Sequence, residues 1–358
     1  MAETIVANSA SLNPIYVQEK VISQYAERQN FFAPYMGESP TSAIQVVSDL
    51  ANRPGDTVKV HVFSKLNSQG VDNDATLEGN EESLSYYADT LYLGQKRNAV
   101  RIAGRMTEQR SAIDLRKQAG YALGVWAKDF VSELMTVMLA GRRGTRGLTV
   151  LPTSFTGFGG NSLRAPDSSH ELWAGSAATQ AGMAATDKMT ASLLDRAIVK
   201  VQLLINSGIP MRPIDPQGRF LCVVTPEQAY DLFQDADFVA AQQFAADRGK
   251  DNPLFTGALG VWKNLILVVN PAGVLFTSSA SVPVAQAQIL GAQAGAWVKG
   301  KENGATGGGG GSWRYTEKEF DFDNQVGFAV ASLLGVQKLQ FNGKDHGAFS
   351  VYSSYTSF

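Results

Sequence analysis

Val58, Val60 and Val62 alternate with Lys59 and His61, the two-residue period of a half-buried strand. A polar stretch from Ser64 to Ser85 follows, carrying Asn67, Gly70, Asp72, Asn73, Asp74, Gly79 and Asn80. A returning strand is predicted through Thr90, Leu91, Tyr92 and Leu93, and again near Val100, Arg101 and Ile102. So long a connection without structure of its own is uncommon inside a compact domain. It marks a lid, a binding loop or an arm directed at another subunit.

The period then changes. Leu115, Ala119, Ala122, Trp126, Phe130, Leu134 and Met138 recur at three- and four-residue steps and predict a helix within 108–140. Lys117, Lys128 and Asp129 fall on its other face. Gly120 and Gly124 each cost about 1 kcal/mol against Ala, so packing along the helix must compensate. Gly141 supplies the stop. A second helix fits Ala191 to Asn206, with Leu194, Ile198, Val201 and Ile205 on one face and Gly208 and Pro210 ending it.

Residues 218–300 read as a compact α/β unit. Phe220 to Val224 and Leu265 to Val269 are buried strands, with further strands at Gln288 to Leu290 and Ala296 to Val298. Thr225-Pro226-Glu227-Gln228 is a helix start: Thr225 caps, Pro226 suits the first position and Gln228 reaches back. Gly307 to Gly311 form a flexible surface loop. The chain then turns β again through Tyr315, Phe320, Phe322 and Val326 to Val330, and on to Leu339, Phe341, Phe349, Val351 and Tyr352. Ahead of all this, residues 1–55 read as an extended arm with a short amphipathic helix from Ile15 to Ala26, punctuated by Pro34, Pro40 and Pro54. The whole suggests two interleaved domains from which arm and hairpin project.

At 358 residues the length fits about two domains, and 44% hydrophobic with 18% charged residues supports a folded core. A net charge of −2 argues against specific nucleic-acid recognition and leaves only weak contact with DNA. The single cysteine, Cys222, lies in an apolar run, so it reads as a core thiol in a reducing cytoplasm. No signal peptide and no membrane span are expected. With Met1 at its start, the arm is not expected to be removed as a propeptide.

Candidate chemistry is sparse. No phosphate loop, nucleophile elbow or zinc helix occurs. His61, His170 and His346 read as surface or turn residues, and Gly157, Gly159 and Gly160 have the wrong spacing for a nucleotide loop. Asp321 and Asp323, with Asn324, would share a strand face; they could bind a hard cation, though a solvated face or pairing to Lys318 or Arg314 is the plainer reading. No catalytic residue, cofactor or metal site is assigned. Arg97, Arg101, Arg105 and Arg110 form one basic cluster, and Arg142, Arg143 and Arg146 another. DNA is one partner for them. Acidic loops of neighbouring subunits are the favoured one, with Glu78, Glu81 and Glu82 of the long loop as partners. Leu77, Glu78, Glu81, Glu82, Arg97, Arg101 and Arg105 are the candidate inter-subunit residues.

The order of elements resembles the major capsid proteins of tailed bacteriophages. The words that carry the resemblance are Gly55-Asp56-Thr57-Val58, Thr76-Leu77-Glu78-Gly79-Asn80-Glu81-Glu82, Asn252-Pro253-Leu254-Phe255-Thr256-Gly257 and Gly260-Val261-Trp262. They continue through Leu290-Gly291-Ala292-Gln293-Ala294, Asp323-Asn324-Gln325-Val326-Gly327, Gly335-Val336-Gln337-Lys338, Phe341 and Asp345-His346-Gly347, so the likeness spans residues 40–352.

The resemblance implies an α+β fold of the Hong Kong 97 type. It has an N-terminal arm (1–55), a long E-loop hairpin (56–105), a peripheral domain with a spine helix (106–209), an inserted axial domain (210–300) and peripheral return strands (301–358). It implies self-assembly into hexamers and pentamers of an icosahedral virion head, made in the host cytoplasm. Portal protein and packaged double-stranded DNA would be partners, with room for a decoration protein. The arm is short, so any scaffolding protein is expected to be separate. Some members form Lys–Asn cross-links; Lys65 and several asparagines are present without an assignable acidic catalyst, so none is expected. An encapsulin-like compartment shell would share the fold. A hydrolase or transferase of another family would need a polar pocket that the sequence does not supply.

Overall fold

The computed structural model describes residues 26–51, 53–63, 66, 68–84, 86–204, 210–244, 260–300 and 313–357. The expected arm helix up to Tyr25, the expected end of the second helix at 205–208, the word at 252–257, the glycine run at 307–311 and Lys65 lie outside the described residues.

Two sheets flank one long helix. The six-stranded sheet is organised on the strand Gln325–Lys338, whose first half lies between Arg314–Phe320 and Gly94–Arg101. Its second half pairs with Gly295–Lys299, which continues in parallel to Ile44–Val47 and Met36–Gly37. The seven-stranded sheet runs Val261–Trp262, Leu265–Val269, Phe220–Val224, Pro283–Leu290, Ala348–Ser354, Glu171–Trp173, with Leu275–Thr277 also on Pro283–Leu290. The chain therefore crosses between sheets several times. Gly295–Lys299, read from sequence with the α/β unit, belongs to the six-stranded sheet, and Ala348–Ser354, read with the return strands, belongs to the other.

The helix Leu115–Ala140 joins them. Leu123, Ala127, Phe130 and Leu134 share a core with Phe328, Val330 and Leu334 of one sheet and with Leu221, Val223, Leu290 and Ala348 of the other. Its C-terminal turns are buried on every side, from Glu133 to Ala140. Amides from the seven-stranded sheet satisfy polar groups there: Gln286 Nε2 donates to Ala140 O (3.0 Å), Gln288 Nε2 to Thr136 O (3.2 Å) and Asn270 Nδ2 to Thr136 Oγ1 (2.8 Å). A buried group left unpaired would cost about 1–3 kcal/mol, so these amides secure the helix end as well as fill space.

Local sequence explains the helix ends and two departures from expectation. Gly141 closes the helix in the left-handed region (φ 66°). The start is not at 108. A short helix, Arg105–Arg110, ends first, and Ser111 and Asp114 interrupt the path. Ser111 Oγ donates to Ile113 O (2.9 Å), and the Asp114 carboxylate accepts from the amides of Arg116 and Lys117 (3.1 and 3.2 Å). Short polar side chains that bond nearby backbone compete with helix in this way. The buried stripe also runs through Leu123 and Ala127 and leaves Ala122 exposed. The second helix spans Ala191–Leu203, and Thr225 and Gln228 form the expected capping box. Cys222 is fully buried, which pushes its thiol up to about 12.

Candidate assembly surfaces

The hairpin is anchored at one end and uncovered at the other. Thr57–Phe63 pairs antiparallel with Tyr86–Tyr92; the strand Gly94–Arg101, expected in the same excursion, is part of the six-stranded sheet. At the base, Val58, Val60 and Leu91 pack with Leu50, Ala296, Val298, Leu339 and Phe341. Burying Leu91 fully contributes about 1.5–3 kcal/mol. Asn161 grips the Tyr92 backbone from both sides, accepting from its amide (3.0 Å) and donating to its carbonyl (2.7 Å). Gly335 makes room for that carbonyl: a Cβ there would stand 2.3 Å from Tyr92 O. Arg164 holds Asp89 through both terminal guanidinium nitrogens, and Asp89 also accepts from the amide of Gln340 (3.0 Å).

Beyond Asp89 the cover ends. Leu66, Leu77, Leu84, Tyr86 and Tyr87 are five of the sixteen large exposed apolar or tyrosine side chains among the described residues, and Tyr92 at the base is a sixth on the hairpin, so uncovered apolar surface concentrates on this one element. Tyr86 is 67% exposed and Leu77 61%. An isolated two-stranded hairpin is marginal in water, so this one needs a surface to lie on.

The acidic tip and the basic strand stay apart within one chain. Glu78, Glu81 and Glu82 are exposed; Glu81 accepts from Gly79 N (2.8 Å) and Glu82 from Ser68 N (2.7 Å). Arg97, Arg101 and Arg105 are exposed too, and among the described residues none of them makes an ion pair, nor do Glu78 and Glu81. Arg101 lies over the Phe320 ring at 4.5 Å. The second basic cluster is used internally, which corrects its reading as a partner surface. Arg142 stacks on Phe276 (4.0 Å), Arg143 is buried and donates to the carbonyls of Leu151, Pro152 and Arg146, and Arg146 pairs with Glu227.

Other expectations also change. Asp321 and Asp323 sit in the turn between Arg314–Phe320 and Gln325–Lys338, so they share no strand face. Among the described residues no three His, Cys, Asp or Glu side chains gather as metal ligands. His61 is exposed on its strand, but His170 is fully buried and His346 is 5% exposed. His170 Nδ1 lies 2.7 Å from Asp167 Oδ2, and Asp167 also accepts from the Asp345 amide (2.8 Å). Burial opposes the charge on Asp167, yet hydrogen bonds from His170, Ser169 and Asp345 hold it well below the usual carboxylate range. Asp345 in turn meets Lys338 at 2.9 Å with both side chains buried; burial pushes the lysine down and the carboxyl up, and each restrains the other.

The described residues form structural networks around one projecting hairpin, and the chain as a whole is similar to known proteins. A family model described as phage capsid protein matches residues 8–356. The chain belongs to the phage capsid protein family. The major capsid protein of Pseudomonas phage KPP25 is 27% identical over 357 residues, 91% of each chain. The capsid of Ralstonia phage GP4 superposes with a TM-score of 0.82 at 30% identity, covering 92% of both chains. The cyanophage Pam1 capsid shares the fold at 21% identity, with a TM-score of 0.74 over 100% of this chain and 97% of that one. The capsid protein therefore has the Hong Kong 97-type fold. Its relatives are phage capsids rather than encapsulins, so the compartment reading is set aside and it serves as a major capsid protein, part of the virion.

Proposed function

We propose that the capsid protein assembles through hexamers and pentamers into an icosahedral head around double-stranded DNA, with each hairpin lying across an adjacent copy. The observation that carries this is the hairpin's division into a locked base and an uncovered tip. Obligate assemblies bury upwards of about 2,000 Å² per interface, and an arm that wraps a neighbour supplies such area. Within the 56–105 excursion the hairpin up to Leu93 acts as the E-loop; 106–209 and 301–358 act mainly as peripheral domain and 210–300 as most of the axial domain, with Gly94–Arg101 and Gly295–Lys299 joined to the six-stranded sheet and Ala348–Ser354 to the seven-stranded one, behind an arm at 1–55. Leu77, Glu78, Glu81 and Glu82 of one copy meet Arg97, Arg101 and Arg105 of the next; the absence of an ion pair at Glu78, Glu81 and the three arginines among the described residues supports that pairing. The role is structural, without catalysis. Scaffolding, portal and decoration proteins act as separate partners, and assembly takes place in the host cytoplasm with DNA held by weak, non-specific contact.

Expression of the chain alone, and with its scaffolding partner, followed by negative-stain electron microscopy tests this. Closed shells, or rings of five and six copies, are expected. A monomer under both conditions, unchanged on raising concentration or salt, contradicts the proposal.

A further inference from the structure

The turn Asp321-Phe322-Asp323 holds three consecutive side-chain-bearing residues in the left-handed region, at φ 53°, 48° and 65°. Aspartate tolerates that conformation; a large aromatic residue does not. Phe322 gains nothing within its own subunit. It is 103% exposed and makes no ring contact among the described residues. A costly backbone thus presents a naked aromatic ring, a side-chain type enriched in the cores of protein interfaces.

A receptor for it lies at the same corner. The Arg105 amide donates to Asn324 Oδ1 (3.5 Å) and Gln325 Nε2 to Ala103 O (3.3 Å), which ties the turn to the start of the short helix Arg105–Arg110. Between them is a groove of about 400 Å³ with Ile113, Leu115 and Val326 as its apolar lining, Arg105 beside them, and Asp323 and Asn324 on the turn side. Ile113 is 61% exposed. The groove's carboxylates are Glu108, Asp114, Glu319 and Asp323, set against Arg105 and Arg116; Asp114 caps the long helix and lies 3.6 Å from Lys117. Arg105, Arg110 and Asp323 carry no ion pair among the described residues.

We infer that Phe322 of one copy seats in the Ile113 groove of a second copy, with Asp323 of the incoming turn meeting Arg105 or Arg110. The inference rests on the capsid reading and adds a second subunit contact, distinct from the hairpin. Knob and groove are neighbours on one chain, so copies related by rotation about an axis beside this corner each give a knob and take one. Such a head-to-tail contact closes around a local axis between rings of five and six, and so joins one ring to the next. Burial of an aromatic side chain at its centre, with charge pairs around it, is the usual anatomy of a stable contact.

The test compares wild type with Phe322→Gly, Phe322→Asn and Ile113→Asp, each expressed as the full chain with scaffolding partner. Shell yield is read by sedimentation and electron microscopy, and subunit folding by thermal unfolding. Glycine and asparagine both suit the left-handed backbone, so the Phe322 variants are expected to unfold at or above the wild-type temperature. Their shell yield, and that of Ile113→Asp, falls at least ten-fold, while rings of five and six persist. Wild-type shell yield in both Phe322 variants overturns the inference and leaves the capsid reading intact. A wild-type chain that forms neither rings nor shells sinks the capsid reading, and the inference with it.

Discussion

Arg164 holds Asp89 across 75 residues of sequence, with Nη2 donating to Oδ1 at 2.9 Å while Nη1 bonds Oδ2. The same guanidinium also reaches Lys338 O (3.1 Å), so one side chain ties the hairpin base to the end of the central strand. Asp89 is buried and Arg164 only a quarter exposed, which places the pair among those that matter when one partner is lost.

Asp89→Asn removes the charge and leaves Arg164 without its partner. A loss of about 2 kcal/mol in subunit stability is expected, the scale of a charge-assisted hydrogen bond. Urea unfolding measures it, and hydrogen exchange at Tyr87 to Leu91 rises in parallel. No change in either would show that the hairpin base is held by its apolar contacts alone.

Glu133 is a carboxylate inside an otherwise apolar stretch of the long helix. It accepts from three successive amides, Thr149 (2.8 Å), Val150 (3.0 Å) and Leu151 (2.9 Å), and so pins the loop that follows Gly141. Glu133→Ala strands those donors and opens a cavity. A destabilisation of about 3 kcal/mol or more is expected from chemical denaturation. Glu133→Gln keeps the shape and one acceptor oxygen, and falls between.

His346 sets an acid limit. Burial, then the neighbouring charges of Arg212 and His170, lower it from 6.5 to about 4. Its folded value lies below its unfolded one, so the neutral form is favoured by folding. That contribution is complete above pH 6.5 and is lost as pH falls towards 4, about 3 kcal/mol in all. Asp167, also held low, loses its contribution further down in pH. Unfolding free energies of wild type and His346→Asn across pH 4–7 check this: the variant has a shallower slope over the histidine window. Parallel slopes would assign the acid sensitivity to other groups.

Reversal of the acidic tip, Glu78→Lys with Glu81→Lys and Glu82→Lys, is expected to leave the subunit folded and cut shell yield several-fold. Arg97→Glu with Arg101→Glu and Arg105→Glu restores part of it in the same chain. Exposed pairs are screened by salt, so the defect is largest at low ionic strength. Equal yields of wild type and tip variant at low salt would remove these side chains from the interface.

Periodicity made the elements legible. The alternating valines gave the hairpin strand, and the capping words at Thr225 and Gly141 gave helix ends to within a residue. What periodicity cannot carry is pairing between distant segments. That Ala348–Ser354 completes a sheet built on Phe220–Val224 depends on chain crossings, and both strands are apolar wherever they are placed. The buried polar networks were hidden for the same reason. His170 reads as a loop residue until Asp167 and Ser169 are seen to satisfy it in the interior. Arg143 reads as one of a basic cluster until its guanidinium is found among backbone carbonyls. Phe322 reads as a strand residue by spacing, and only the left-handed turn turns it outward. Glu133 was not singled out from the sequence, though a lone carboxylate in the apolar half of a helix was a signal available there.

Hydrogen exchange of the hairpin, read in free subunits and in assembled particles, decides whether it lies on a neighbouring copy. If each hairpin lies on an adjacent copy, amides from residues 66–87 exchange rapidly in free subunits and at least ten-fold more slowly in shells, while those near Leu91 are slow in both. Equal exchange of residues 66–87 in the two states would contradict the account, because the arm would then have no neighbour to order it.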